Sequence, residues 1–106
     1  MEPEKRTVTL RNERPRNGVR RTLRAYFDEN RLRIEGHDLG EGVSHDGEYE
    51  WFERYAADQF PSIVALLDGH PGEDVLDVLE RWVGRSYELE ARLRDSKIPH
   101  QLEVYY

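Results

Sequence analysis

The sequence predicts an α+β fold, and three observations carry that prediction. Apolar residues alternate in Leu23-Ala25-Phe27 and Leu32-Ile34, the two-residue period of half-buried strands. After Asp58 the spacing changes to that of a helix, with Phe60, Ile63, Val64 and Leu67 at i, i+3, i+4 and i+7. Alternation then returns beyond Pro99 in Leu102, Val104 and Tyr106. The order of strands, then helices, then one strand is that of an antiparallel sheet with helices on one face. A three-strand meander plus a C-terminal strand makes the sheet, with room for an N-terminal edge strand.

The central hairpin is Arg21 to Glu35, turning at Asp28-Glu29-Asn30, where Asn30 tolerates a left-handed backbone. Ahead of it, residues 1–20 form a basic arm, either disordered or one edge strand over Thr7-Val8-Thr9-Leu10, closed by Asn17-Gly18. Residues 21–106 are read as the single domain that a chain of 106 residues allows.

Between Gly36 and Gly47 four glycines and little apolar content predict a loop. A third strand over Glu48–Tyr55 follows, with Tyr49, Trp51 and Tyr55 on the core side and Glu48, Glu50 and Phe52 opposite. The first helix is expected to start at an Asp58 cap and stop at Gly69. A second spans Glu73 to Val83, ending at Gly84, with Val75, Val78, Leu79 and Trp82 as its buried stripe. Ser86 is expected to cap a third running to Ser96, with Glu88–Arg92 and Glu90–Arg94 as i, i+4 pairs on its surface. Trp51 and Trp82 read as core side chains rather than ligand platforms.

Composition excludes several chemistries. There is no cysteine, and so no disulfide, thiolate metal site or cysteine nucleophile. No apolar run approaches the roughly 20 residues of a membrane span. The N-terminus has no apolar signal segment either, and the expected location is the cytoplasm. The net charge of −6 is uneven: residues 1–24 carry eight basic and three acidic groups, +5, and the remainder eight basic and nineteen acidic groups, −11.

Candidate sites follow from charge and residue type. Asp38, Glu41, Asp46, Glu48, Glu50 and Glu53 form an acidic patch suited to a basic protein partner. Arg24, Tyr26, Arg31, Arg33 and Phe52 share the outer sheet face by parity, the arrangement by which arginines and aromatics bind single-stranded nucleic acid; the neighbouring glutamates oppose it. His37-Asp38 and His45-Asp46 repeat a pair of metal-ligating types, without the HExxH or EF-hand spacing. Ser44-His45-Asp46 has the residue types of a hydrolase triad, but neighbours in one short loop do not assemble that geometry, and no GxSxG elbow accompanies them. No phosphate-cradling motif is present. No catalytic residue and no cofactor is therefore assigned.

The segments TLRAYFDE, LRIEGHDLG, DGEYEWF, DVLDVLERWVG and YELEARLRDSKIP, spread over Thr22 to Val104, resemble a family of small uncharacterised proteins of GC-rich bacteria. The 14 arginines against 2 lysines fit such a genome. The resemblance implies no activity or site. The reading that fits best is a small acidic, non-enzymatic interaction protein, an immunity or antitoxin-like chain being its sharpest form. A nucleic-acid-associated protein and a metal-dependent enzyme on the His-Asp segment are the alternatives.

Overall fold

The computed structural model describes residues 6–14, 18–40 and 48–105. In chain order these form β1 (Thr7–Glu13), β2 (Arg20–Asp28), β3 (Arg31–Leu39), β4 (Glu48–Ala56), a 3-10 turn (Ala57–Gln59), α1 (Phe60–Leu66), α2 (Val75–Glu80), α3 (Ser86–Ser96) and β5 (Gln101–Tyr105). The strands make one antiparallel sheet in the order β1-β2-β3-β4-β5, so each strand pairs with its sequence neighbour. The fold is α+β, with the N-terminal edge strand present as β1.

The β2–β3 hairpin closes on the Asp28–Arg31 pair, and both loop residues, Glu29 and Asn30, take positive φ. Those are the angles by which a two-residue loop matches the strand twist. The inner face carries Val8, Leu10, Leu23, Ala25, Leu32, Ile34 and Tyr55, all buried. The helices and the turns that follow them add Ile63, Val64, Leu67, Val75, Leu76, Val78, Leu79, Trp82, Leu89 and Leu93 to the same cluster. Helix α2 packs on β1 and β2, and α1 packs between α2 and α3.

Six expectations need correction. Gly36 to Leu39 are strand, not loop: β3 continues through them and pairs with β4. Gly36 is opposite Trp51, and a β-carbon there would fall inside the envelope of the indole. The glycine is needed for the indole to lie across the backbone, not for a turn. Helix α1 starts at Phe60 without a side-chain cap, because Asp58 is taken up by the 3-10 turn before it. It ends with Asp68 in the left-handed conformation; Gly69 is required instead by close packing, since a β-carbon would meet Val64 Cγ1 at 2.7 Å and Val78 Cγ2 at 2.8 Å. Helix α2 is shorter than its stripe suggests, and its cap is Asp74, whose Oδ1 accepts from the Leu76 and Asp77 amides at 2.8 and 3.3 Å. Ser86 is the first residue of α3 rather than its cap, and Glu90 pairs with Arg11 rather than Arg94.

Gly36→Ala is expected to lower stability by about 1–3 kcal/mol through overpacking. It should also displace the Trp51 indole resonance. An unchanged denaturation midpoint with an unchanged indole signal would show that the ring does not lie over residue 36.

Glu73 links the start of α2 to its end. Its carboxylate accepts from both terminal nitrogens of Arg81 (2.9 and 3.0 Å) and from the His70 amide (2.7 Å). The Arg81 guanidinium, aided by that amide, holds the carboxyl down at about 2. A depressed carboxyl stabilises the fold above the ordinary carboxylate value of roughly 4.3, and the contribution is lost as pH falls through the folded value. Carbon-detected NMR titration should therefore find Glu73 still ionised at pH 3, whereas Glu73 in an Arg81→Ala variant should titrate near 4.

Candidate interaction surface

The helices occupy the inner side of the sheet, and no described element covers the outer face. Parity and register bring Arg24, Tyr26, Arg31, Arg33, Glu35, His37, Glu48, Glu50, Phe52, Arg54, Glu103 and Tyr105 onto it. All five residues expected to contact nucleic acid (Arg24, Tyr26, Arg31, Arg33 and Phe52) share this face. Their cationic and aromatic groups are engaged with one another. Arg24 is ion-paired to Glu35, Arg33 lies 3.6 Å from Glu35 and 3.7 Å from Asp28, and Tyr26 donates to Glu35 at 3.1 Å. Burial, then that carboxylate, pushes the Tyr26 hydroxyl above its ordinary value. The Arg33 guanidinium covers one side of the Phe52 ring at 4.1 Å, and Tyr105 meets the ring edge-on at 5.5 Å. Arg31 donates to Gln101 at 3.3 Å. A base seeking to stack on Phe52 has to displace Arg33, and a phosphate has to compete with Glu35 for both Arg24 and Arg33.

The acidic patch is divided by the pleat. Glu48 and Glu50 are on the outer face, while Asp38 and Glu53 turn to the inner one. Asp38 stands on the β2 side opposite Arg21, whose ionisation is favoured by a Tyr87 hydrogen bond and by Asp38. Glu53 accepts from the Tyr55 hydroxyl at 2.7 Å, and burial followed by this carboxylate raises the Tyr55 phenol. Glu41 and Asp46 lie outside the described residues. So do His45 and Ser44.

The metal reading is rearranged in the same way. His37 and Asp38 are consecutive strand residues and point to opposite faces, so they do not converge on one ion. His37 instead meets Glu48 and Glu50, with Nε2 2.9 Å from Glu48 and 3.5 Å from Glu50, and the three ligand atoms fall within 4.8 Å. Cross-strand register alone produces this group, since His37 is opposite Glu50 and Glu48 is one step along the same face. The His37 imidazole is hydrogen-bonded to the Glu48 carboxylate within this group.

Two features escaped sequence reasoning. The first is the distribution of charge across the sheet. Strands β1–β3 carry Arg11, Arg20, Arg21, Arg24, Arg31 and Arg33 against Glu13, Asp28, Glu35 and Asp38, a balance of +2. Strands β4 and β5 carry Glu48, Glu50, Glu53 and Glu103 against Arg54, a balance of −3. The meander order turns a gradient along the chain into a gradient across the sheet.

The second is the contrast between the two edges. A bulge between Thr9 and Arg11 interrupts β1. Arg6 ties the strand to Asp77 (2.6 Å) and Glu80 (2.8 Å) of α2, and Glu13 accepts from Tyr87 of α3 at 3.3 Å. Arg11, buried to 6% exposure, reaches Ser86 and Glu90 of α3. Strand β5 is regular in its pairing with β4, and all five of its residues are exposed, among them Leu102 at 57% and Val104 at 36%. These two stand on the inner face beside half-buried Trp51 and Glu53.

The molecule thus belongs to the α+β class of open-faced antiparallel sheets, with an ion-paired outer face and one acidic, apolar edge. No protein family, curated protein or solved structure matches the chain. The family resemblance noted above rests on its own short motifs.

Proposed function

We propose that this is a small acidic protein-interaction module, of the immunity or antitoxin-like kind, that binds a basic protein partner through the β4–β5 half of its sheet. The observation that carries this reading is the −3 balance of β4 and β5 beside exposed Leu102 and Val104. Exposed apolar area supplies affinity, and a one-signed field speeds encounter with an oppositely charged surface. The internal pairing of Arg24, Arg33 and Arg54 with Glu35 and Glu103 favours a protein over a nucleic acid as the partner. None of the described helices is long and apolar enough to cross a membrane. A cytoplasmic setting, a non-enzymatic role and membership of the resembled bacterial family complete the proposal.

Affinity capture of the tagged chain from its own cells tests it. A single basic protein recovered in near-equal amount is expected, with association slowed roughly tenfold at low salt by combined Glu48→Lys and Glu50→Lys. Capture yielding no stoichiometric protein sinks the proposal. RNA or DNA recovered in its place would transfer it to Arg24 and Arg33.

A further inference from the structure

Exposed sheet edges are normally blunted by bulges, lysines, prolines or a covering element, because their free N–H and C=O groups pair with any strand that arrives. Among the described residues, one edge has such protection and the other carries only the single charge of Glu103. Strand β1 carries a bulge and is strapped to α2 and α3 by Arg6, Arg11 and Glu13. Strand β5, Gln101-Leu102-Glu103-Val104-Tyr105, has no lysine, no proline and no bulge in its register with β4. Its inward side chains are the exposed Leu102 and Val104, continuous with Trp51 on the neighbouring strand.

We infer that β5 is a strand-addition site, and that its occupant is an extended segment of a partner protein in which cationic and apolar residues alternate. This rests on the interaction reading above and specifies how the partner is engaged. Main-chain pairing along β5 supplies affinity that is independent of side chains, and the two faces supply selectivity. Apolar residues of the incoming strand extend the Leu102–Val104 row. Its cationic residues emerge on the outer face beside Glu103, whose oxygens, though engaged by Arg54 at 2.6 Å and by the Tyr105 hydroxyl at 2.8 Å, each retain a second acceptor lone pair.

Charge decides between this occupant and a second copy of the chain. An antiparallel two-fold pairing that overlaps all of β5 centres on Glu103 and places it directly opposite its own copy. Like charges so placed are destabilising, and the pairing also brings two −3 halves together. A cationic strand instead meets an opposite charge at Glu103, the centre of the edge.

The test uses three labelled synthetic peptides: alternating lysine and valine, alternating glutamate and valine, and lysines and valines in two separate blocks. Binding is read by fluorescence anisotropy and by amide shifts of the full chain. The alternating lysine–valine peptide is expected to bind most tightly, with the largest shifts over residues 101–105. Leu102→Lys, at an exposed position that keeps the fold, is expected to weaken it roughly tenfold or more. Val83→Lys, at an exposed valine beside β1 on the opposite edge, should leave it unchanged. Equal binding of the block peptide, or shifts centred away from β5, would overturn the proposal. So would a dimer of the chain alone, seen by sedimentation, that Leu102→Lys dissolves, since the occupant would then be a second copy. A stoichiometric cellular partner whose capture Leu102→Lys leaves undiminished would overturn strand addition while leaving the interaction reading in place.

Discussion

Trp82→Ala is expected to cost about 3–5 kcal/mol, the usual range for deleting a buried aromatic side chain. Against the roughly 5–15 kcal/mol that holds a small domain together, this leaves the variant close to unfolding at ambient temperature. Trp82 is 2% exposed and follows α2 in a turn that faces both other helices. Its indole Nε1 donates to the Leu67 carbonyl at 3.1 Å, closing the end of α1. The guanidinium groups of Arg85 and Arg92 lie 4.0 and 4.7 Å from the ring, so two cations lose their aromatic partner with it. Arg92 also donates to the Leu66 carbonyl at 3.1 Å, so it bears on the same helix end. Trp82→Phe separates the contributions: it keeps most of the apolar volume and leaves the Leu67 carbonyl unpaired, at about 1–3 kcal/mol. Urea denaturation of the two variants checks both figures. A loss below about 1 kcal/mol for Trp82→Ala would mean that the ring is not the keystone of the helical layer.

Arg11→Met is expected to cost about 2–4 kcal/mol, because it leaves the Glu90 carboxylate partly buried without its cation. Arg11 reaches from the bulge of β1 to α3. Its Nε donates to Ser86 Oγ at 2.8 Å, its Nη2 donates to Glu90 Oε2 at 3.0 Å, and the Tyr87 ring covers the guanidinium at 3.6 Å. Glu90 keeps 29% of its side-chain exposure, which lets water recover part of the loss and places the figure below that of a fully enclosed pair. Arg11→Met combined with Glu90→Leu should restore most of the stability, since removing both charges removes the unpaired one. Hydrogen exchange gives an independent reading: amides of β1 should exchange faster in the single variant than in the double. Equal protection in all three proteins would mean that the pair does not hold the edge strand.

Much of the fold was legible because its signals are local. Leu23, Ala25, Leu32 and Ile34 alternate in a pleat whose inner face is buried, and Asn30 accommodates the left-handed angle of the turn. The helical stripes through Ile63, Val64, Val78 and Leu79 are buried as the 3.6-residue period requires. The outer-face assignments of Arg24, Tyr26, Arg31, Arg33, Glu48, Glu50 and Phe52 also hold, since parity survives wherever a strand is regular. What parity could not supply was the length of β3. Gly36 looks like a loop residue in one dimension and is a strand residue in three, because the indole facing it comes from the next strand.

Element type, the strand faces and the acidic balance of the later chain were therefore set by the sequence alone, since period and formal charge are properties of neighbouring residues. Only the tertiary structure decided that Arg11 turns inward, because a single extra residue in β1 reverses the pleat there and the compensating Glu90 lies 79 positions away. It alone decided that Asp38, expected in a loop, sits in a strand and turns to the inner face, away from Glu48 and Glu50. It also decided that the helices cover β1 and β2 while β5 stays exposed, since which end of a sheet a helical layer covers depends on long-range packing that no local pattern encodes.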